Sequence, residues 1–331
     1  MRIKKINPYE YLHASARVRM LGNQIITKGK LHQMIDAPNL GQAFRVLNTS
    51  GIGVGEKPEN YEAALVRALA ETYQTVREIT KGLGLLDVFR YNYDGLNLKI
   101  VLKAKAAGLD PLPAMTSLGT VPKEEIVSGM NRRHIPGLPP EMLRAALDAQ
   151  AAIETANDPQ KADIMIDKGM LHAMYRIVHE YNNVFCQKVV RSKIDIENIR
   201  SFVRIKRAGK DVRLLESVLS EGGYIQSKKL VSLFSRGIRE FAAFLGNTRY
   251  GSALAHAFDG LEAGGRLTNF EKLCDNFMLT FIGEANRIVF GVEPILGFIL
   301  EKENEITSVR MVMASKMTGV PADTIVERLR T

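Results

Sequence analysis

The sequence predicts an all-α protein of three similar lobes. Three observations predict it. One segment occurs three times, at intervals of 101 and 110 residues. Apolar residues recur at helical spacing along most of the chain. Long runs of alternating β-branched residues, the mark of strands, are missing. An interval near a hundred residues is too long for a solenoid repeat and suits a small domain.

The first copy of the segment reads Asp94-Gly95-Leu96-Asn97-Leu98-Lys99, followed by Leu102, Lys103, Lys105 and Gly108. The second reads Asp195-Ile196-Glu197-Asn198-Ile199-Arg200, followed by Val203, Arg204, Lys206 and Gly209. The third keeps Glu305, Ser308, Val309, Arg310, Met313, Lys316 and Gly319. The pattern reads as a helix with both ends marked. Asp94, Asp195 and Glu305 are expected at or near the N-terminal end, where a carboxylate caps backbone N–H groups or suits the helix dipole. Gly108, Gly209 and Gly319 are expected just past the C-terminus, where the chain turns left-handed. Lys105, Lys206 and Lys316 fall in the last turn and share a face with Leu98, Ile199 and Val309. Each lysine either lays its stem on that apolar face or faces a partner. Lys99, Arg200 and Arg310 hold equivalent places and have the same two readings, an ion pair inside the lobe or a partner contact.

Further helices are predicted over Tyr61 to Ile79, Pro140 to Ile153, Asp167 to Val190 and Lys228 to Leu245, each from its 3.6-residue apolar spacing. Gly- and Pro-rich breaks fall at Gly51–Pro58, Leu109–Pro122, His134–Pro140, Asn157–Pro159 and Gly260–Gly265. Each copy of the segment is followed by a link and an apolar start. These are Leu118-Gly119-Thr120-Val121-Pro122 with Ile126, Gly222-Gly223-Tyr224-Ile225 with Leu230, and Gly319-Val320-Pro321 with Ile325. A second landmark, Leu47-Asn48-Thr49 before Gly51, returns as Leu245-Gly246-Asn247-Thr248 before Gly251. The expected lobes are residues 1–112, 113–215 and 216–331.

The chain has 331 residues, 46% hydrophobic and 24% charged, as in globular proteins that bury a large core. Its net charge of +9 favours an acidic partner: nucleic acid, anionic lipid or an acidic protein face. Two cysteines, Cys186 and Cys274, make no disulfide framework, and a reducing cytoplasm is expected. The N-terminus has basic residues without an apolar signal core. The most apolar region, Phe277 to Leu300, is interrupted by Glu284, Asn286, Arg287 and Glu293 and is not expected to span a bilayer unaided.

No catalytic constellation emerges from the residues. Gly51-Ile52-Gly53-Val54-Gly55-Glu56-Lys57-Pro58 lacks the glycine spacing and the hydroxyl of a phosphate loop. His172 and His179 are seven residues apart, whereas zinc pairs on a helix sit three or four apart. Cys186 and Cys274 have no second ligand at metal spacing. No catalytic residue, cofactor or metal is therefore assigned. A basic helical scaffold or a nucleic-acid-binding protein stays open as the alternative, although the basic residues are scattered and no stripe of them is interleaved with aromatics.

Tyr93-Asp94-Gly95-Leu96-Asn97-Leu98-Lys99, the segment around Asp195-Ile196-Glu197-Asn198, and Glu293-Pro294-Ile295 with Leu300-Glu301-Lys302-Glu303-Asn304-Glu305 stand in a specific order. With the opening Tyr11-Leu12-His13-Ala14-Ser15-Ala16-Arg17-Val18-Arg19, the chain resembles the C subunit of the archaeal and bacterial A/V-type rotary ATPases. That family is related to the d subunit of the eukaryotic vacuolar ATPase. The resemblance implies a pseudo-threefold, funnel-shaped, all-α body with a central cavity. It implies a non-catalytic rotor adaptor that receives the central shaft and sits on the cytoplasmic face of the membrane proteolipid ring. Such an adaptor couples ATP synthesis or hydrolysis to proton or sodium transport, peripheral to the membrane and without binding nucleic acid. The candidate interface residues are Lys99, Arg200, Arg310, Lys105, Lys206 and Lys316.

Overall fold

Helices are the only regular elements in the computed structural model, which describes residues 4–156, 158–262 and 267–330. In chain order they are α1 (Leu12–Gly22), α2 (Lys28–Asp36), α3 (Leu40–Asn48), α4 (Tyr61–Ile79), α5 (Gly84–Asp87), α6 (Tyr91–Ala107), α7 (Lys123–Arg132), α8 (Pro140–Ala156) and α9 (Pro159–Glu180). They continue as α10 (Val184–Arg207), α11 (Val212–Val218), α12 (Ser227–Phe234), α13 (Ile238–Gly246), α14 (Gly251–Glu262), α15 (Leu267–Asn286), α16 (Glu293–Met317) and α17 (Ala322–Arg328). The chain forms two compact units. The first is Leu83–Phe241 with the N-terminal residues up to Ile6; the second joins Asn7–Gly82 to the chain from Ala242 onward.

In the first unit α9 is the common neighbour, packing on α6, α8 and α10. Its Gly169 lets α8 approach: a Cβ there would lie 2.9 Å from the Glu141 carbonyl oxygen. The apolar stripe of the repeated segment is core, with Leu98, Ile199, Phe202 and Val203 fully buried. Phe202 stacks on Phe241 with ring centroids 3.8 Å apart. Each such side chain contributes about 1.5–3 kcal/mol of burial.

In the second unit α16 plays the central part. It packs on α1, α2, α3, α4, α15 and α17. A helix with neighbours on several sides is apolar over most of its girth, and Ile295, Leu296, Ile299, Ile306, Val309, Val312 and Met313 are all buried. The apolar region Phe277 to Leu300 is divided between α15 and α16. Among the described residues, no helix is long and apolar enough to cross a membrane.

The predicted helix over Tyr61 to Ile79 has those bounds in α4, and Pro140 opens α8. Two other predictions are corrected. Asp167 to Val190 is two helices, because Asn182 turns left-handed (φ 47°) and Asn183 caps α10 by accepting the Cys186 N–H at 2.8 Å. Lys228 to Leu245 is broken between α12 and α13, at Ser235-Arg236-Gly237. The Gly51–Pro58 break is a turn in which Gly51, Gly53 and Gly55 all have positive φ. A Cβ on Gly53 would lie 2.6 Å from the Phe44 ring. Of the Gly260–Gly265 break, the stretch from 263 lies outside the described residues, and α14 runs to Glu262.

The glycine ends are as expected. Gly108, Gly209 and Gly319 have φ of 68°, 63° and 71°. After each, an N–H returns to close the helix: Leu109 to Ala104 O (2.9 Å), Lys210 to Ile205 O (3.1 Å) and Val320 to Ser315 O (2.9 Å). Of the acidic ends, only the first is as expected. Asp94 lies in the first turn of α6, but Asp195 and Glu305 lie deep inside α10 and α16. None of the three is a cap. Asp211, Asn183, Asp158, Asn39 and Thr27 cap helices through their side chains instead.

Candidate functional site

The buried acids hold loops. Asp94 accepts the Thr120 N–H (3.0 Å), the Thr120 hydroxyl (2.6 Å) and the Val121 N–H (3.2 Å). One turn upstream on the same face, Arg90 donates to the carbonyls of Leu118 (3.0 Å) and Gly119. One turn downstream, the Asn97 amide donates to Thr116 O and accepts the Thr116 N–H, both at 2.9 Å. Residues at i−4, i and i+3 share a helix face, so three polar side chains line up along the loop. They satisfy backbone groups of a part-buried loop.

The second copy repeats this in detail. Asp195 accepts the N–H groups of Tyr224 (2.7 Å) and Ile225 (3.1 Å). Arg191 donates to the carbonyls of Gly222 (3.2 Å) and Gly223 (3.0 Å), and its guanidinium lies 3.9 Å from the Tyr224 ring centroid. Asn198 exchanges two bonds with Ser220, at 2.8 and 2.9 Å. Gly119 and Gly223 are obligatory, because a Cβ at either would collide with the aspartate Oδ1. In both copies the held loop leads into a short helix, α7 or α12, right after Val121-Pro122 or Ile225-Gln226.

The third copy keeps the plan and changes its parts. Glu305 accepts the Ile26 N–H at 3.3 Å, and its Oε2 lies 2.7 Å from Lys302 Nζ. Ile26-Thr27 leads into α2 as Val121-Pro122 leads into α7. The third loop therefore lies at residues 24–27, not at Gly319-Val320-Pro321, which passes directly into α17 as Gly209 passes into α11. Glu301 stands where the siblings have Arg90 and Arg191, Ser308 where they have asparagine, and Gln24 where they have glycine. Arg90 and Arg191 share the 101-residue interval of the repeat, so the spacing alone could have singled them out.

Burial pushes the Asp94 carboxyl above the ordinary range, held back by the bonds from Thr120 and Val121 and by the Arg90 charge. Burial and then the neighbouring Glu305 push Glu301 up as well.

The six candidate cations lie on α6, α10 and α16, two to a helix. Lys99 pairs with Asp167 of α9 at 2.6 Å, and burial raises that carboxyl against the pull of the lysine. Arg200 pairs with Glu197 one turn away at 3.0 Å. Arg310 directs Nε at both oxygens of Glu62, at 3.0 and 2.8 Å. Lys105 reaches Glu154 at 3.3 Å, with both side chains about half exposed. Lys206 donates to Phe234 O at 2.5 Å and lies 4.9 Å from the Phe234 ring centroid, its stem on the apolar face. Lys316 sits half-buried in the last turn of α16.

The other candidates do not converge. His179 Nδ1 lies 2.7 Å from the Tyr175 carbonyl. His172 lines a cavity of about 950 Å³ in the first unit, whose walls carry both signs of charge, among them Arg144, Lys168, Asp148 and Glu216. Cys186 and Cys274 are buried. Among the described residues, no group of three or more His, Cys, Asp and Glu is placed to hold a metal ion.

These features define a class: a helical scaffold whose repeated polar residues hold loops rather than a reacting group. Comparison with known proteins gives the particular family. The family model "ATP synthase (C/AC39) subunit" matches residues 14–328, and the chain belongs to that family. It is 25% identical to the C subunit of the A-type ATP synthase of Methanocaldococcus jannaschii, covering 96% of this chain and 85% of the relative. It is 26% identical to the C subunit of the A-type ATP synthase of Thermococcus gammatolerans, covering 93% and 86%. It is 21% identical to the C subunit of the V-type sodium ATPase of Enterococcus hirae, covering 97% and 98%. As a member of this family the chain is a non-catalytic component with a structural, coupling role.

Proposed function

We propose that the chain is the rotor adaptor of an A/V-type ATPase, related to the d subunit of the eukaryotic vacuolar enzyme. It joins the central shaft to the cytoplasmic face of the proteolipid ring and couples ATP turnover to proton or sodium transport. The observation that carries the reading is the repeated latch on a chain of this family. In terms of the proposed lobes 1–112, 113–215 and 216–331, Asp94 of the first lobe holds Thr120 and Val121 of the second. Asp195 of the second holds Tyr224 and Ile225 of the third, and Glu305 of the third holds Ile26 of the first. Repetition of the latch at equivalent places in the sequence supports three similar lobes, as in the pseudo-threefold funnel with a central cavity that the resemblance implies. A part that transmits torque needs stiffness, and buried charged hydrogen bonds between successive lobes supply it.

Lys99, Arg200, Arg310, Lys105, Lys206 and Lys316 are proposed as partner contacts of the adaptor. Their in-unit pairs are mostly part-exposed, and exposed pairs of this kind contribute only about 0–1 kcal/mol. The test is co-purification with the shaft subunits and ring. Changing Lys99, Arg200 and Arg310 together to Gln is expected to weaken assembly while the isolated chain stays folded by circular dichroism. Full assembly of the triple variant would refute the partner role. Retention of the wild-type chain on nucleic acid at moderate salt, with none on the shaft, would refute the adaptor reading.

A further inference from the structure

In the second unit, α1 is apolar on two sides. Its inner side buries Ala14 and Val18, and the helix packs on α16 and α4. Its outer side carries Leu12, Ala16 and Met20 at i, i+4 and i+8, a stripe along the helix, all three exposed. Leu12 is 49% and Met20 63% exposed. The loop at residues 288–291 is fastened along the helix. Ser15 Oγ donates to the Gly291 carbonyl (3.0 Å) and accepts the Gly291 N–H (3.1 Å), and the Tyr9 and Phe290 ring centroids are 5.3 Å apart. Tyr9, 66% exposed, and Val289, 72% exposed, therefore extend the stripe. Single exposed apolar side chains are ordinary on a protein surface, but a contiguous set marks an interaction site.

Arginines flank this stripe. Arg19 lies on the loop side, where Nη2 donates to the carbonyls of Ile288 (2.7 Å) and Val289 (3.3 Å). Arg17 lies on the opposite flank of the helix, and Arg287 stands just before the loop; both are exposed. Among the described residues, none of the three forms an ion pair. The exposed acid nearest to the stripe in sequence is Glu10. Uncompensated guanidinium groups around protruding apolar side chains suit a partner that is anionic at its surface and apolar beneath. An anionic bilayer has this layering. Arginine stems can lie beside the stripe with their heads at the phosphates, and a tyrosine suits the boundary between the two layers. A protein partner would need a groove shaped to the stripe, whereas a bilayer needs only that the side chains protrude.

We propose that this face of the second unit, the outer stripe of α1 with Val289 between Arg17, Arg19 and Arg287, binds the surface of an anionic lipid bilayer. The apolar side chains enter the headgroup layer and the arginines take the phosphates. A rotor adaptor seated on a proteolipid ring needs no lipid contact of its own, so this binding goes beyond that role.

The test is co-sedimentation of the full chain with vesicles of phosphatidylcholine, with and without one-third phosphatidylglycerol. The wild type is expected to bind the anionic vesicles at least about tenfold more tightly than the neutral ones. Arg17→Gln with Arg287→Gln is expected to weaken that binding roughly 25-fold, at about fivefold for each arginine. Lys228→Gln with Lys229→Gln removes the same charge from exposed positions on α12 of the first unit. That pair is expected to change binding less than about twofold. Met20→Ser with Val289→Ser leaves the charge unchanged and is expected to weaken binding at least about tenfold. All these side chains are exposed, so the variants are expected to melt with the wild type. No binding of the wild type to anionic vesicles at low salt would overturn the proposal. Equal losses from the arginine and lysine pairs would overturn it too, by reducing the binding to net charge. So would full binding by the serine pair, by taking the stripe out of it. A wild-type dimer that the serine pair dissolves, without vesicle binding, would overturn the bilayer in favour of a second copy of this chain.

Discussion

The latches at Asp94 and Asp195 and the latch at Glu305 hold the same kind of loop by different means. In the first two, a short acid is locked between glycine and two backbone N–H groups, with an arginine and an asparagine on either side. In the third, a longer acid reaches one N–H at 3.3 Å, beside a lysine, a second glutamate and a cavity. The difference shows that a repeated fold does not need repeated chemistry. Two copies hold the loop backbone with an acid, an arginine and an asparagine, and the third holds a more exposed loop with a glutamate.

The largest effect is expected from removing the acids. Asp195→Ala leaves the loop N–H groups of Tyr224 and Ile225 without their acceptor, a loss of about 3 kcal/mol or more. Glu305→Ala removes one long bond and also relieves Glu301, and is expected to cost about 1 kcal/mol. Urea unfolding of the two variants measures the contrast, and equal losses would erase it.

A second contrast is steric. Gly223→Ala places a methyl group against Asp195 Oδ1. The expected loss is about 1–3 kcal/mol, typical of overpacking. Gln24, the residue in the same register of the third loop, is exposed, and Gln24→Ala is expected to stay within about 0.5 kcal/mol. Thermal melts decide it; tolerance of Gly223→Ala would mean that the second loop is as free to shift as the third.

The smallest effect is in pH dependence. Glu301 has a raised folded pKa, through burial and then Glu305. The folded state therefore keeps its proton to higher pH than the unfolded chain does. Its stabilising contribution is present below about pH 4, the ordinary carboxylate range, and is lost as pH rises to the folded value. Glu301→Gln is expected to flatten the melting temperature across that window. Asp94 is also raised, and Asp94→Asn should flatten its own share. A Glu301→Gln melting curve parallel to the wild type would show that the two glutamates of the third latch do not interact.

Much of the fold was legible because periodicity and local stops decide it. Tyr61 to Ile79 is a helix with those bounds, and the glycines after α6, α10 and α16 turn left-handed as glycine allows. The role of Asp195 was not legible. An acid before an apolar run looks like a cap when the helix start is unknown, and that start was hidden in Asn182 and Asn183. Its true partners lie 29 and 30 residues downstream, beyond any local pattern. The third loop was harder still, because it stands near the other end of the chain. Arg90 and Arg191 were in plain view at the repeat interval, and only the loop carbonyls they reach explain why they recur.

The spacing of the latches also sets an order in time. The first two close over about thirty residues or fewer, so each can form soon after its loop leaves the ribosome. The Glu305 bond to Ile26 spans 279 residues. The second unit must therefore wait, with the faces of α2, α3 and α4 uncovered, until α16 is made. Contacts of such long separation fold slowly. Nascent chains stalled before α16 should bind chaperones through the N-terminal arm, and release should coincide with synthesis of the third latch.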